Sequence, residues 1–140
     1  MKSAAEVVKD ILVDASQGVF GTSVFVSHEP FNPDECITLY DNVGIIGEHI
    51  EASVSPWSQP RVQVRVRGFG YKDVFTRVHT LIKIIANKGM FFQDPDDSGE
   101  VAIRWHSFKI VNGPIHLELD TKKRDIFVAN IRASREEVTI

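Results

Sequence analysis

The chain has 140 residues, of which 43% are hydrophobic and 25% charged, and its formal net charge is -3 at pH 7. These values are typical of one soluble globular domain and argue against a general nucleic-acid-binding protein, which would be basic overall. A single cysteine excludes an internal disulfide, and the chain shows neither a signal-peptide pattern nor a run of apolar residues long enough to cross a membrane.

The first 40 residues predict one helix and two strands. Apolar residues recur at helical spacing over 3–17, with Ser3 as the N-cap and Gly18 as the stop. Short runs rich in β-branched and aromatic residues then predict strands at 23–27 and 36–40. The beginning of the chain therefore supplies both a helix and strands to one fold.

Residues 41–59 form a long stretch without a clear period. A loop of this length inside a compact domain is usually functional. Ile45, Ile46 and Trp57 are unusual in a purely solvated loop. The segment therefore either folds back on its own core or acts as an arm that packs on a neighbouring chain, and the residues favour neither alternative.

The next segment, 60–68, is the most informative in the chain because valine alternates with polar residues. Successive side chains of a strand point to opposite faces, so one face is apolar and buried while the other carries three arginines. The apolar face comprises Val62, Val64 and Val66, and the polar face comprises Arg61, Gln63, Arg65 and Arg67. The arginines suit a solvated face with weak ion pairs, a subunit interface, or contact with phosphates. The overall acidity favours the interface over the phosphates.

The remainder of the chain predicts a second helix and then strands. Apolar residues at helical spacing predict a helix over 71–87. A change of phase at 106–107 predicts a β-bulge, and the Asn-Gly pair at 112–113 predicts a tight hairpin turn between two strands. A charged turn at 120–125 precedes the last strand.

The predicted element order is α-β-β-β-α-β-β-β. Two amphipathic helices can cover one face of a sheet, so we predict an α+β fold, with a mostly antiparallel mixed sheet and two helices packed on one face. The chain contains no internal repeat or linker. We therefore expect residues 1–140 to form a single domain with the loop or arm at 41–59.

Few residues indicate chemistry. The glycine turn at 68–70 lies where dinucleotide-binding loops lie, but Asp73 would repel a phosphate there, so a simple strand-to-helix turn is favoured. The segment 94–99 begins like a calcium loop, but Trp105 replaces its final glutamate. None of the histidines has the spacing of a zinc site, and we expect Cys36 to be an inert buried thiol. We predict no catalytic, metal or cofactor site.

Three segments, taken in their order, carry a family resemblance. They are 37–44 (Ile-Thr-Leu-Tyr-Asp-Asn-Val-Gly), the Arg/Val segment 60–68 with Tyr71 after it, and 114–120 (Pro-Ile-His-Leu-Glu-Leu-Asp), followed by Arg124, Phe127, Asn130 and Arg135. In this order they resemble the small minor capsid proteins of tailed bacteriophages, a group that includes the tail terminator, or head–tail joining, proteins. The resemblance extends from about Ile37 to Arg135, and the Arg/Val segment is its most specific part.

The resemblance implies a structural virion protein with helices on one side of a sheet and with no enzyme activity, metal or cofactor. It implies a hexameric ring, assembled in the host cytoplasm, that caps the tail tube, stops tube polymerisation and joins the tail to the head connector. DNA passes through the lumen of such a ring without specific binding, and no membrane is involved. The expected subunit or tail contacts are Arg61, Arg65 and Arg67, with Trp57 on the arm.

Two other functions stay open at this point. The glycine turn at 68–70 would hold a phosphate ligand in a small enzyme subunit, and nucleotides would then raise its melting temperature in a saturable way. The second alternative is another phage neck or head-completion protein. Such proteins are more often helical bundles or small barrels, so the predicted mixture of helices and strands favours the terminator.

Overall fold

The computed structural model describes residues 2–42, 57–93, 101–117 and 119–139. Within these residues it contains two helices and a seven-stranded sheet. In chain order the elements are α1 (Ala4–Asp14), β1 (Val24–Val26), β2 (Cys36–Asn42), β3 (Trp57–Ser58), β4 (Arg61–Gly68), α2 (Tyr71–Ala86), β5 (Phe91–Gln93), β6 (Val101–Leu117) and β7 (Asp125–Thr139). Neither helix of the described part is long and apolar enough to cross a membrane.

Helix α1 begins at the predicted cap. The Ser3 hydroxyl accepts a hydrogen bond from the backbone N–H of Glu6, and the Glu6 carboxylate accepts one from the backbone N–H of Ser3. This reciprocal pair satisfies two backbone donors that a helix start leaves open. The helix ends at Asp14, earlier than predicted, because Ser16 adopts a positive φ of 60° that takes the chain out of the helix.

The sheet has the strand order β1-β2-β4-β7-β6-β5, with β3 paired to β7. Strands β1 and β2 are parallel, and all other pairs are antiparallel. Both helices contribute to one core with the same face of this sheet. The predicted α+β fold, with a mostly antiparallel mixed sheet and two helices on one face, is confirmed.

The core lies between the two helices and the sheet. Helix α2 buries one stripe of aliphatic side chains, while Phe75 in the same stripe stays partly exposed at its margin. The sheet contributes the three valines of β4 and the bulky rings of Trp105 and Phe127, all of them buried. Burying a large apolar side chain contributes roughly 1.5–3 kcal/mol, so this one layer holds the helices in place.

The predicted hairpin at 112–113 is wrong. Strand β6 runs without a break from Val101 to Leu117, and it changes register on both sides of Asn112. Gly113 has a φ of 102°, and a Cβ there would lie 2.8 Å from the backbone of Ala129. The Asn-Gly pair therefore serves a close strand-to-strand approach at an irregularity. The register change between Trp105 and Ser107 confirms the predicted bulge.

The strand count also differs in detail from the prediction. Four strands lie between the helices instead of the three that were predicted, and the additional one is β3. After α2, the two strands predicted on either side of 112–113 form the single strand β6. Strand β5 was not predicted because its three residues are too few to show a period. The chain reverses between β6 and β7 in the charged turn at 120–125, as predicted, where the N–H of Lys123 bonds to the carbonyl of Asp120.

Candidate interaction surface

The sheet face opposite the helices, called the outer face below, carries the polar side chains of β4. Strand β4 lies inside the sheet between β2 and β7. Its three valines are fully buried toward the helices, and Arg61, Gln63 and Arg65 are half-buried on the other side. The predicted alternation is confirmed, and it places a row of cations on the outer face.

Arg67 has a different environment from the other two arginines of β4, since its side chain is only 3% exposed. Its guanidinium donates hydrogen bonds to the carbonyl oxygens of Pro30 (2.7 Å) and Pro33 (2.6 Å). It also bonds to Glu29 Oε1 (3.0 Å) and, through Nε, to the carbonyl of Asp34 (3.3 Å). These bonds fasten the β1–β2 loop to the outer face, so the partners of Arg67 in this structure belong to its own chain.

Arg124, in the turn before β7, is a second buried arginine that holds the same loop. Its Nη1 donates to the carbonyl of Phe31 (2.7 Å) and lies 3.3 Å from Asp34 Oδ1. Its Nε donates to Asp120 Oδ2 (2.7 Å). Sequence reasoning missed this role, because Phe31 and Arg124 are 93 residues apart and neither lies in a periodic pattern.

The same turn shifts one titration. Burial on its own would raise the pKa of Asp120, but hydrogen bonds from the backbone and guanidinium of Arg124 and from the backbone of Lys122 hold that pKa below its usual range. A carboxylate that accepts several such bonds is stabilised in its charged form. The turn is therefore fastened most firmly when Asp120 is ionised.

Arg65 is half-neutralised within the chain. Its Nε forms an ion pair with Glu29 Oε2, and the other oxygen of that carboxylate binds Arg67. The side chain of Arg65 is still partly exposed on the outer face. One carboxylate thus serves two arginines, which leaves positive charge at the surface.

Arg61 begins a line of cations that runs across the strands. It pairs in register with Arg132 on β7, and Arg132 pairs in register with Lys109 on β6. We call these three residues the basic row. Among the described residues none of the three has an ion-pair partner, and the buried Nε of Arg61 has no hydrogen-bond partner there. Like charges directly opposite one another destabilise a sheet, so the basic row lowers the stability of the isolated chain.

Trp57 lies in the short strand β3, at the end of the predicted loop or arm. Its side chain is 46% exposed, and its ring stacks on His106 with the ring centroids 4.6 Å apart. His106 Nε2 in turn lies 3.1 Å from Glu136 Oε2, and Glu136 is the register partner of Trp57. Trp57 is therefore held on the sheet while much of its ring faces solvent. The rest of the predicted arm, 43–56, lies outside the described residues.

The glycine turn at 68–70 joins β4 to α2 as a simple turn. Gly70 precedes the first helical residue with a φ of 91°, a conformation that glycine adopts readily. The carboxylate of Asp73 lies 3.4 Å from the point where a Cβ on Gly70 would be. A negative charge in the first helical turn disfavours a bound phosphate, so the geometry supports the structural interpretation.

The other candidates give no reactive site in the described part of the chain. No group of three or more His, Cys, Asp or Glu residues there could hold a metal ion, and the calcium-like segment 94–99 lies outside it. Cys36 is fully buried, and burial raises the pKa of its thiol, as an inert core cysteine requires. One contact was not predicted: His116 Nε2 lies 3.0 Å from Asp125 Oδ1.

Comparison with known proteins identifies the relationship. The family model described as "Bacteriophage tail terminator protein" matches residues 11–137. The match therefore includes the glycine turn, the basic row and Trp57. A comparison with curated proteins finds no match.

Proposed function

The chain belongs to the bacteriophage tail terminator family, and from that premise we propose that its copies form a hexameric ring that caps the tail tube. Membership makes the protein a structural component of the phage tail. The ring stops tube polymerisation and joins the tail to the head connector, and DNA passes through its lumen without specific binding. Assembly takes place in the host cytoplasm.

The observation that carries this proposal is the family match over most of the chain. Physical reasoning supports the ring. A single domain of 140 residues cannot encircle a DNA duplex, so a channel for DNA requires several copies arranged about a closed axis. The net charge of -3 suits a lumen through which phosphates slide without being held.

The contacts between copies, or with the tube, are proposed to lie on the outer face. Arg61 and Arg65 are partly exposed there; Arg61 has no ion-pair partner among the described residues, and Arg65 shares the carboxylate of Glu29 with Arg67. Trp57 supplies a large exposed ring on a fixed strand, the kind of anchor that dominates many interfaces. Arg67, whose bonds lie within its own chain, contributes by holding the β1–β2 loop beneath that surface.

Tube polymerisation tests the function directly. Purified tail tube protein is polymerised alone and with increasing amounts of this chain, and tube lengths are measured by electron microscopy. We expect shorter tubes with added density at one end, because a ring on the tip blocks further addition. A Trp57→Ala variant, which removes the proposed anchor, should shorten the tubes less than the wild-type chain does. Unchanged lengths with bare ends would contradict the proposal.

A further inference from the structure

We propose that the basic row (Arg61, Arg132 and Lys109) binds carboxylates of the acidic segment 94–100 of a neighbouring copy. This inference rests on the proposed ring, since it names the contact that joins one copy to the next. It also changes the direction of the predicted contact line. The line runs across three strands instead of along β4.

The first support is the contrast between the basic row and the other arginines on this side of the sheet. Those others are all within 4.0 Å of a carboxylate of the same chain; they are Arg65, Arg67, Arg104 and Arg124. The basic row has no such partner among the described residues, although its members are stacked side by side. Each of the other arginines thus has at least a shared carboxylate, whereas the three cations of the basic row have none within the described part of the chain and are available to a partner.

The second support is the setting of Arg61. Its Nε is buried and has no hydrogen-bond partner in the described part of the chain. A buried donor without an acceptor is costly. An incoming carboxylate can accept hydrogen bonds from a guanidinium in a bidentate arrangement, which satisfies such a donor and neutralises its charge together.

The chemistry of the surroundings favours carboxylates over nucleic-acid phosphates. The next level of the outer face is neutral, with Gln63 in register with Asn130, and Asn130 bonded to Asn112. The three cations lie beside amides, on a chain whose net charge of -3 is unfavourable for holding a duplex. They match a short acidic peptide segment instead.

The segment 94–100 is the occupant that the chain itself offers. Its sequence, Asp-Pro-Asp-Asp-Ser-Gly-Glu, carries four carboxylates and no basic residue. It connects β5 to β6, and β5 is an edge strand, whereas β4 and β7 lie in the middle of the sheet. A cyclic ring requires two different surfaces on each copy, one for each neighbour. An acidic segment and a basic row at different places on one chain meet that requirement.

Charge reversal tests the contact. The double variant Arg61→Glu/Arg132→Glu is compared with wild type for ring formation by native mass spectrometry over a concentration series and by imaging on tail tubes. We expect rings to require about tenfold or more higher concentration, because each copy now meets an acidic segment with acidic residues. The matched control is Lys72→Glu/Lys83→Glu, which makes the same change of charge on the exposed surface of α2 and should leave ring formation unchanged.

Rescue identifies the occupant. Asp96→Arg/Asp97→Arg alone should weaken rings as the first variant does, and all four substitutions in one chain should restore them. Thermal melting of each variant establishes that the monomers are folded. The proposal is supported if rings are lost when the charges of either surface are reversed and are restored when both surfaces are reversed in one chain.

Three results would overturn it: rings in the row variant at wild-type concentration, loss without rescue, or equal loss in the α2 control. Wild-type chain that forms no ring, alone or on tubes, would instead refute the proposed function.

Discussion

Arg67 is a buried charge that the fold satisfies almost completely with oxygen atoms. All three nitrogens of its guanidinium form hydrogen bonds, either to backbone carbonyls of the β1–β2 loop or to the carboxylate of Glu29. A charge is costly to bury unless it is paired and hydrogen-bonded. When one member of such a pair is removed, the groups that it had paired with lose their hydrogen bonds, and the protein is destabilised. The residue therefore acts on stability and, through the loop, on the shape of the outer face.

Replacing Arg67 should destabilise the protein strongly. We expect Arg67→Gln to lower the free energy of unfolding by about 1.5–3 kcal/mol, because Glu29 Oε1 and the carbonyls of the β1–β2 loop lose their charged hydrogen-bond donor, and Glu29 keeps only Arg65 as its ion-pair partner. Arg132→Gln is the matched control and should change it by less than about 1 kcal/mol, since it removes a cation that has no ion pair in the described part. Chemical denaturation measures both. Equal effects would show that the arginine bonds do not hold the loop.

Cys36 offers a second test at this scale. The thiol is fully buried, and burial raises its pKa, so little thiolate forms and reagents cannot reach it. We expect a thiol reagent to label the native protein only as fast as it unfolds, and to label it at once in denaturant. Rapid labelling in native buffer would mean that the core at β2 opens locally.

At the residue scale, the sequence predicted which face a side chain takes but not whether something covers it. Arg65 and Arg67 were placed on the same face of β4, and they are. Their difference in exposure comes from the β1–β2 loop, more than 30 residues earlier in the chain. Alternation along one strand contains no information about such a distant segment.

At the scale of the elements, Gly113 decides the course of the longest strand. Its positive φ and the 2.8 Å approach to Ala129 both exclude a side chain. We expect Gly113→Ala to lower the free energy of unfolding by about 2 kcal/mol or more, through backbone strain and overpacking. Gly89→Ala, at a site with open space, is the control and should be nearly neutral. A tolerated Gly113→Ala would contradict the close packing of β6 on β7.

The turn between β6 and β7 should make stability depend on pH. Asp120 has a lowered pKa in the folded state, so its ionised form stabilises the fold above its unfolded pKa, and this contribution is lost as the pH falls through the folded pKa. We expect Asp120→Asn to destabilise the protein at neutral pH and to approach wild-type stability below about pH 4. Denaturation at several pH values measures this. A difference that does not change with pH would contradict the role of the carboxylate.

Prediction of elements succeeded where a pattern was long and failed where it was short. The helices and β4 have clear periods, and they were placed to within a few residues. The Asn-Gly pair at 112–113 misled because glycine with a positive φ suits both hairpin turns and irregular strands. Only the pairing of β6 with β7 distinguishes these, and pairing depends on residues far away in the sequence.

At the scale of the whole molecule, the two faces of the sheet have different roles. One face holds both helices and the core, and the outer face keeps charge that the described chain does not neutralise. The α+β class and the family followed from the order of the segments. The basic row could not be predicted from that order, because only the register between strands places Arg132 and Lys109 next to Arg61.

The most direct test of the account is the arrangement of this chain at the end of a tail tube. Tubes capped with purified protein are imaged by electron microscopy, and end-on views are averaged without imposed symmetry. The account predicts a closed ring with sixfold symmetry at one end of each tube. Single copies at the tip, or protein bound along the length of the tube, would contradict it.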